Sequence, residues 1–562
     1  MTRILWHLGN TTVRSPFRLR DGLVALSGSS LEGALHGREQ EKQFRNLLGN
    51  MGIVELGDDK TFSVGRKWRS ALSQLGFLIP ELPSKLGIHQ AELGAADTIS
   101  ENGKRLIQAT TVPAMQECFL RALAAYQIPN PLENNYNYIS FSPLKFTLAI
   151  LTELESRTGD SKINFVEVGI FLLRSGGDIS VSEIVDQILE FREARVNVGN
   201  KKAFDNKARQ VRGVELNYAA TTFNDYADTT IRYLKATGLV TARGRGIAIY
   251  EEKRTLIQEL LIHDAVISDP LTYYKLLCHG AELPTDEISG AKHVLKDVYQ
   301  RAKRVGIEVN DGVLLLEDVG RLNSERYRVE ERLSQVYEEE YAKNQISQVE
   351  EILEYLDALD SNSRSRGDNN GINIPSSERP AYLEWALWRA FLAINHLTNK
   401  PYEARRFKID QDFLPIGTAP GNGPDLIFEF ESFVLVVEAT LTENSRQEAA
   451  EGETVRRHVT DVMGLFPNKR TYGLFIARNI NTNTAHTFRL GVWYTTQDKQ
   501  VEFAIVPISL KQFRNMFTVL LTHSEDRIDL IREFLERCVS LRTQCDTPEW
   551  KKEIGDVVLN LT

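Results

Sequence analysis

"GNGPDLIFEFESFVLVVEATLT", residues 421–442, is the stretch on which the fold turns. Pro424-Asp425 opens it, Phe433 to Val437 form a short apolar run, and Glu438 follows that run directly. The pattern predicts a hairpin of two strands with a tight turn near Glu431-Ser432, which brings Asp425 and Glu438 side by side. Two neighbouring carboxylates repel unless a cation sits between them. A hard divalent ion such as Mg²⁺, with Mn²⁺ as the alternative, accepts such oxygens and keeps waters for chemistry. Asp425 and Glu438 are the expected metal ligands, and the carbonyl of Ala439 is a third donor within reach.

Helices are expected on both sides of the hairpin in sequence. "PSSERPAYLEWALWRAFLAINHL", 375–397, is strongly apolar and carries Glu384 between Leu383 and Trp385. That carboxylate belongs either to the site or to a helix cap or ion pair. "RQEAAEGETVRRHVTDVMGLF", 446–466, reads as a second helix on which Glu451 and His458 stand seven residues apart and share a face. Either of them suits orienting or deprotonating a water; taken alone they also read as a solvated helix face. "RTYGLFIARNI" and "VEFAIVPISLKQF" each hold an apolar run suited to a buried strand, so residues 371–562 are expected to form an α/β domain.

Upstream, "SNSRSRGDNNG", 361–371, reads as a flexible joint. Before it, residues 321–360 hold 5 Lys/Arg against 11 Asp/Glu, and Ile346, Val349, Leu353, Leu356 and Leu359 recur at helical spacing. A long helix or helix pair is expected there, within a helical linker spanning 286–370. The basic segments lie earlier, with 11 Lys/Arg against 7 Asp/Glu in residues 1–80 and 9 against 4 in residues 201–250. "TTFNDYADTTIRYLKATGLVTARGRGIAIY", 221–250, reads as helix, turn and two short strands around Arg243-Gly244-Arg245-Gly246, the pattern of a winged helix with a basic wing. "TFSVGRKWRSALSQLGFLIPEL", 61–82, has a similar helix-Gly-apolar shape, with Arg66, Lys67 and Arg69 on its helix. Two winged-helix-like modules, roughly 1–140 and 141–285, are expected within a region 1–285.

The 562 residues suggest about three or four domains, and 42% hydrophobic with 25% charged residues fits a globular protein with real cores. A formal net charge of -9 does not advertise nucleic-acid binding, though local basic patches remain possible within that average. Cys118, Cys278, Cys538 and Cys545 form no CxxC, so neither a zinc site nor a disulfide scaffold is indicated. The opening MTRILWHLGNTTVRSPF has no signal-peptide core, and no apolar stretch approaches the ~20 residues of a membrane helix. The expectation is a cytoplasmic protein without a membrane partner. "GTAPGNGPD" lacks the Gly-Lys-Ser/Thr ending of a phosphate loop, which argues against ATP dependence.

Pro424-Asp425 followed by Glu438-Ala439-Thr440 resembles the PD-(D/E)xK nuclease motif, with Thr440 where a lysine usually stands. The E-x-T version, together with an upstream helical glutamate resembling Glu384 and the spacing of Glu451 and His458, resembles the AlwI-like type IIS restriction enzymes and related site-specific nicking endonucleases. "LGNTTVRSPFRLRDGL", 8–23, resembles the opening of these enzymes. The resemblance implies a multidomain α+β chain: N-terminal winged-helix-like recognition domains, a helical linker, and a C-terminal α/β PD-(D/E)xK domain. It implies a Mg²⁺-dependent endonuclease that binds a short asymmetric site in double-stranded DNA and cuts to one side. Glu384, Asp425, Glu438, Thr440, Glu451 and His458 would be catalytic. A second copy or a small catalytic subunit would serve the second strand, and a cognate DNA methyltransferase would be the system partner. The expected DNA contacts are Arg14, Arg18, Arg20, Arg66, Lys67, Arg243 and Arg245. Arginine forks suit phosphates and guanine edges, and Arg18 and Arg20 would point to one side of an extended segment. The competing reading of 8–23 is a basic surface loop with intramolecular ion pairs. Competing functions are a non-catalytic winged-helix regulator and a nuclease of a transposition or repair system.

Overall fold

The computed structural model describes residues 4–561 apart from 55–62, 132, 134, 137, 263–265, 362–371, 373, 444–446, 495–497 and 524–525. The expected joint at 361–371 therefore lies, but for Ser361, outside the described residues. The chain forms two compact units, Met1–Leu333 and Ser334–Thr562. The unit boundary falls inside the segment expected as a helical linker. Among the described residues no helix is long and apolar enough to cross a membrane, and all four cysteines are free thiols.

The first unit is mostly helical. Among the described residues it holds a three-stranded antiparallel sheet, in the order β1 (Ile163–Asn164), β3 (Gly246–Ile249), β2 (Val240–Arg243). The helix before the β2–β3 ribbon runs Ala220–Lys235, and Gly238 leaves it with φ 72°. A positive φ there is open to glycine without the Cβ clash other residues meet. The helix-turn-ribbon order thus follows the sequence pattern at 221–250. The resemblance of 61–82 to that pattern goes less far. Its helix, Ser63–Gln74, is present, but the apolar run after it makes only an isolated bridge, Leu78↔Ile99. Pro80 and Pro83 lack the amide hydrogens that a longer ladder needs.

Two further departures are local. Residues 18–26 are helical rather than extended, so Arg18 and Arg20 point to different sides of the segment. Pro16 and Gly22 look like breakers, yet Gly22 is there for packing: a Cβ on it would lie 2.5 Å from the Trp68 ring. The acidic segment is a pair of helices, Val319–Lys343 and Val349–Asp360, joined by a short 3-10 turn Gln345–Gln348. Ile346 falls in that turn and is exposed, while Leu356 and Leu359 are buried as the spacing predicts.

The second unit is built on a four-stranded mixed sheet, in the order β4 (Leu426–Glu429), β5 (Phe433–Thr440), β6 (Arg470–Ala477), β9 (Ile505–Ser509). Strands β4 and β5 are antiparallel, whereas β5, β6 and β9 run parallel. A separate two-stranded ribbon, β7 (Val492–Tyr494) with β8 (Gln500–Glu502), precedes β9. Residues Phe433 to Glu438 are buried without interruption, as a strand covered on both faces requires. On one face the helix Arg379–Ile394 places Phe391 against Phe428, ring centroids 4.3 Å apart, and Phe428 is the cross-strand partner of Leu435. On the other face the helix Glu453–Leu465 meets Glu438. Arg389, 1% exposed, binds Gln345, Gln348 and Glu351, tying the end of the acidic segment to this core.

Candidate active site

The hairpin register builds the site. Leu426 pairs with Val437, so Asp425, one residue before β4, stands next to Glu438 on the same face. The backbone N–H of Ala439 donates to Asp425 Oδ2 at 2.9 Å, which fixes that carboxylate against β5. Both acids lie toward the carboxyl edge of the parallel strands, where open α/β sheets place their ligands.

His458 reaches the pair from the Glu453–Leu465 helix. Its Nδ1 lies 2.7 Å from Glu438 Oε1, and both side chains are buried. One proton lies between them. The other ring nitrogen, Nε2, is buried without a hydrogen-bond partner among the described residues. A buried imidazole nitrogen without a partner beside two carboxylates calls for an explanation.

Glu451 belongs to a π-helical turn, Glu448–Gly452, that leads into the same helix. Its carboxylate accepts a hydrogen bond from the Thr440 hydroxyl. The threonine that stands in the lysine position therefore holds Glu451. Glu384, buried in its apolar helix, accepts the Ala419 N–H at Oε2, 2.7 Å away.

The electrostatics join these groups into one cluster. Burial, then the charge of Asp425, pushes the Glu384 carboxyl well above its ordinary range. Burial, then Glu438 and Glu451, does the same to Asp425. Burial, then Glu451, raises Glu438. Burial also raises Glu451, against the pull of the Thr440 hydroxyl and His458. For His458, burial and the nearby Arg457 lower the imidazole, with Asp425 pulling the other way. In the pair of His458 and Glu438, burial outweighs mutual attraction on both partners, because neither is solvated well enough to carry its charge cheaply. Among the described residues no three His, Cys, Asp or Glu side chains form a ready-made metal cage. Two carboxylates and a neighbouring carbonyl are nonetheless all-oxygen donors, suited to a hard ion that keeps most of its waters.

Two cations at the site were not singled out in the sequence. Arg406 and Arg457 both pull on Glu438. Arg406 donates to Asn422 Oδ1 at 2.6 Å and to the Pro424 carbonyl at 3.3 Å, across the turn that delivers Asp425. Gln447, fully buried, bonds the carbonyls of Thr442 and Asn479 and the N–H of Asn481, and so joins the chain beyond β5 to the chain beyond β6.

In the first unit the basic residues divide. Arg14 pairs with Asp225 at 2.9 Å and Asp228 at 3.5 Å. Arg18 donates to the Ile53 carbonyl, and Arg20 to the carbonyls of Leu106 and Ile107 at 3.1 and 2.8 Å. These three hold the unit together internally. Arg66 and Arg245 are exposed and Lys67 is half-exposed; Arg243 is 61% exposed, 3.8 Å from Asp160.

A family model described as AlwI restriction endonuclease matches residues 73–516. No curated protein sequence matches the chain. One similar solved structure is the small subunit of the heterodimeric restriction endonuclease R.BspD6I, with 22% identity, 38% of this chain and 100% of that chain covered, and a TM-score of 0.29. Another is the BpuJ1 endonuclease binding domain in complex with pyrene- and phenanthrene-modified DNA, with 12% identity, 50% and 96% covered, and a TM-score of 0.32.

Proposed function

This chain belongs to the AlwI restriction endonuclease family and is thus a DNA endonuclease; on that footing we propose that it is a sequence-specific, Mg²⁺-dependent type IIS-like enzyme whose cutting site is the carboxylate cluster at 384–458. The observation that carries the reading is the pairing of Asp425 with Glu438 at the strand edge, with His458 Nδ1 on Glu438 and Nε2 unengaged. A purely DNA-binding regulator has no use for four carboxyl groups gathered around the end of a strand. Strand arrangement and motif together support a PD-(D/E)xK core in its E-x-T form.

Asp425 and Glu438 would hold the divalent ion, with the Ala439 carbonyl as a further oxygen donor. When bound, such an ion polarises the phosphoryl oxygens and lowers the pKa of its water. The chain's own residues supply positioning and proton transfer. With Glu438 ionised, the Nδ1–H of His458 is held by its carboxylate and Nε2 presents a lone pair suited to accepting a proton from water. Glu451, fastened by Thr440, orients that water. Glu384 joins the cluster from its apolar helix and holds the Ala419 N–H.

The first unit is assigned to recognition, through the winged-helix-like element at 220–249 and the exposed Arg66, Lys67, Arg243 and Arg245. An asymmetric site needs no two-fold partner for binding. One active site cuts one strand, so a second copy or a small catalytic subunit would complete a double-strand break. A cytoplasmic location beside a cognate methyltransferase fits such a system.

The test is cleavage of plasmid DNA with and without Mg²⁺, with run-off sequencing of the products. Cuts at one fixed offset from a short sequence are expected. Asp425→Ala and Glu438→Ala should lose cleavage yet keep specific binding in Ca²⁺. Cleavage at the wild-type rate by either variant overturns the assignment.

A further inference from the structure

The site holds a cation in an unusual way. Arg406 reaches the turn before Asp425, where its Nη2 donates to Asn422 Oδ1 at 2.6 Å and its Nη1 to the Pro424 carbonyl at 3.3 Å. Both acceptors are uncharged, so neither bond cancels the guanidinium charge. The backbone agrees, since the Arg406 N–H donates to the Asp425 carbonyl at 3.3 Å. Gly423 makes the approach possible: a Cβ at that position would lie 2.1 Å from Arg406 Nη1 and 2.8 Å from its central carbon. The charge reaches the cluster, attracting Glu438 and disfavouring protonated His458. Arg457, the other cation there, has its Nε 3.3 Å from Glu453 of its own helix and stands 40% exposed.

Thr440 carries no charge, and its hydroxyl is engaged with Glu451. A phosphodiester brought to Asp425 and Glu438 would meet a wall of carboxylates, and beyond the divalent ion they would hold, its charge calls for a further cation. We propose that Arg406, clamped over Gly423, binds a non-bridging oxygen of the scissile phosphate and supplies the positive charge that Thr440 cannot. The proposal rests on the cutting site named above. A planar fork fits phosphate oxygens, and donors fixed in advance stabilise charge that grows in the transition state without reorganising.

Three variants test it in full-length protein: Arg406→Gln, Arg406→Lys and Gly423→Ala. The readout is single-turnover cleavage at saturating DNA with Mg²⁺, beside specific binding in Ca²⁺. Arg406→Gln should slow cleavage by about 10²–10³-fold with binding changed by less than about threefold. Lysine should restore part of the loss. Gly423→Ala keeps every charge but displaces the fork, and should slow cleavage by about tenfold or more. A phosphorothioate at the scissile position supplies the readout a structural role would not move. One stereoisomer should slow the wild type, and that penalty should shrink toward none in Arg406→Gln. Wild-type rates in Arg406→Gln, or an undiminished phosphorothioate penalty, overturn the proposal. Asp425→Ala is measured in parallel: if it cuts like wild type, the site assignment itself falls. If it is inactive while Arg406→Gln is not, only the role of Arg406 falls.

Discussion

Asp425→Asn is expected to abolish cleavage while making the second unit more stable when no divalent ion is present. Burial and the charges of Glu438 and Glu451 hold the Asp425 carboxyl well above its ordinary range. A carboxyl whose pKa is higher folded than unfolded binds more protons in the folded state, so its ionisation costs stability as pH rises. A tenfold change in proton affinity is worth about 1.4 kcal/mol, and at a pH above the raised value the whole of that cost is borne, so removing the charge should stabilise the fold at pH 8. Asparagine removes the charge and keeps an oxygen for the Ala439 N–H, which now bonds Asp425 Oδ2 at 2.9 Å. Alanine removes both, and an orphaned amide costs about 1–3 kcal/mol, so Asp425→Ala should gain less than Asp425→Asn. For a unit of this size 1 kcal/mol moves a melting temperature by about 2–4 °C. Calorimetry of the full-length chain in EDTA at pH 8 should therefore show the transition of the second unit raised by several degrees in Asp425→Asn. The gain should shrink as pH falls through the raised native pKa and vanish below the unfolded value near ~3.9. A variant that melts at or below wild type at pH 8, or a gain that persists undiminished at pH 4, refutes the reasoning.

His458→Ala should slow cleavage by orders of magnitude while specific binding persists, and a wild-type rate across pH 6–9 would show that the water needs no imidazole. Because burial lowers the His458 pKa, the base should be neutral below its ordinary titration point, so the acid limb of the wild-type cleavage profile should lie below ~6.5; a limb at or above that value contradicts the assignment. Thr440→Val frees Glu451 from its hydroxyl partner and should reduce the cleavage rate without weakening binding, whereas Thr440→Ser should restore it. Arg243→Ala with Arg245→Ala should weaken binding to all sequences alike and flatten its salt dependence by about one to two counterions, read by titration at several salt concentrations. Arg14→Ala removes ion pairs to Asp225 and Asp228 and should lower the melting temperature of the first unit even without DNA; an unchanged melt with lost specificity would return Arg14 to the DNA interface.

The second unit was legible because its signals are local. An apolar run ending in a lone acid, and a Pro-Asp pair one hairpin away, leave little choice of register once one face must be buried. Glu451 and His458 were legible by helical spacing, although the π-helical turn under Glu451 left no mark in the sequence. The alternation of arginines with apolar residues in 8–23 suggests an extended segment, whereas residues 18–26 are helical and Gly22 makes room for Trp68. Arg406 stands in a basic run, "EARRFK", with nothing in the sequence to mark it, and the approach over Gly423 gives it a place at the site. The hydrogen bond from Thr440 to Glu451 joins residues on different elements, a pairing that no periodicity encodes.

The turn between β4 and β5 lies at the far end of the hairpin from Asp425 and Glu438, closed by the Phe430 N–H on the Phe433 carbonyl at 2.9 Å. It touches nothing in the site, yet it sets where the two acids meet. Adding or removing one residue there would slide one strand along the other by about 3.4 Å and turn the incoming carboxylate to the opposite face. Point substitutions in the turn leave that spacing alone, whereas any insertion or deletion changes it. Variants of this enzyme should therefore tolerate changes of residue at the exposed positions 431–432 far better than changes of length. The hairpin behaves as a gauge, and the quantity it preserves is a number of residues.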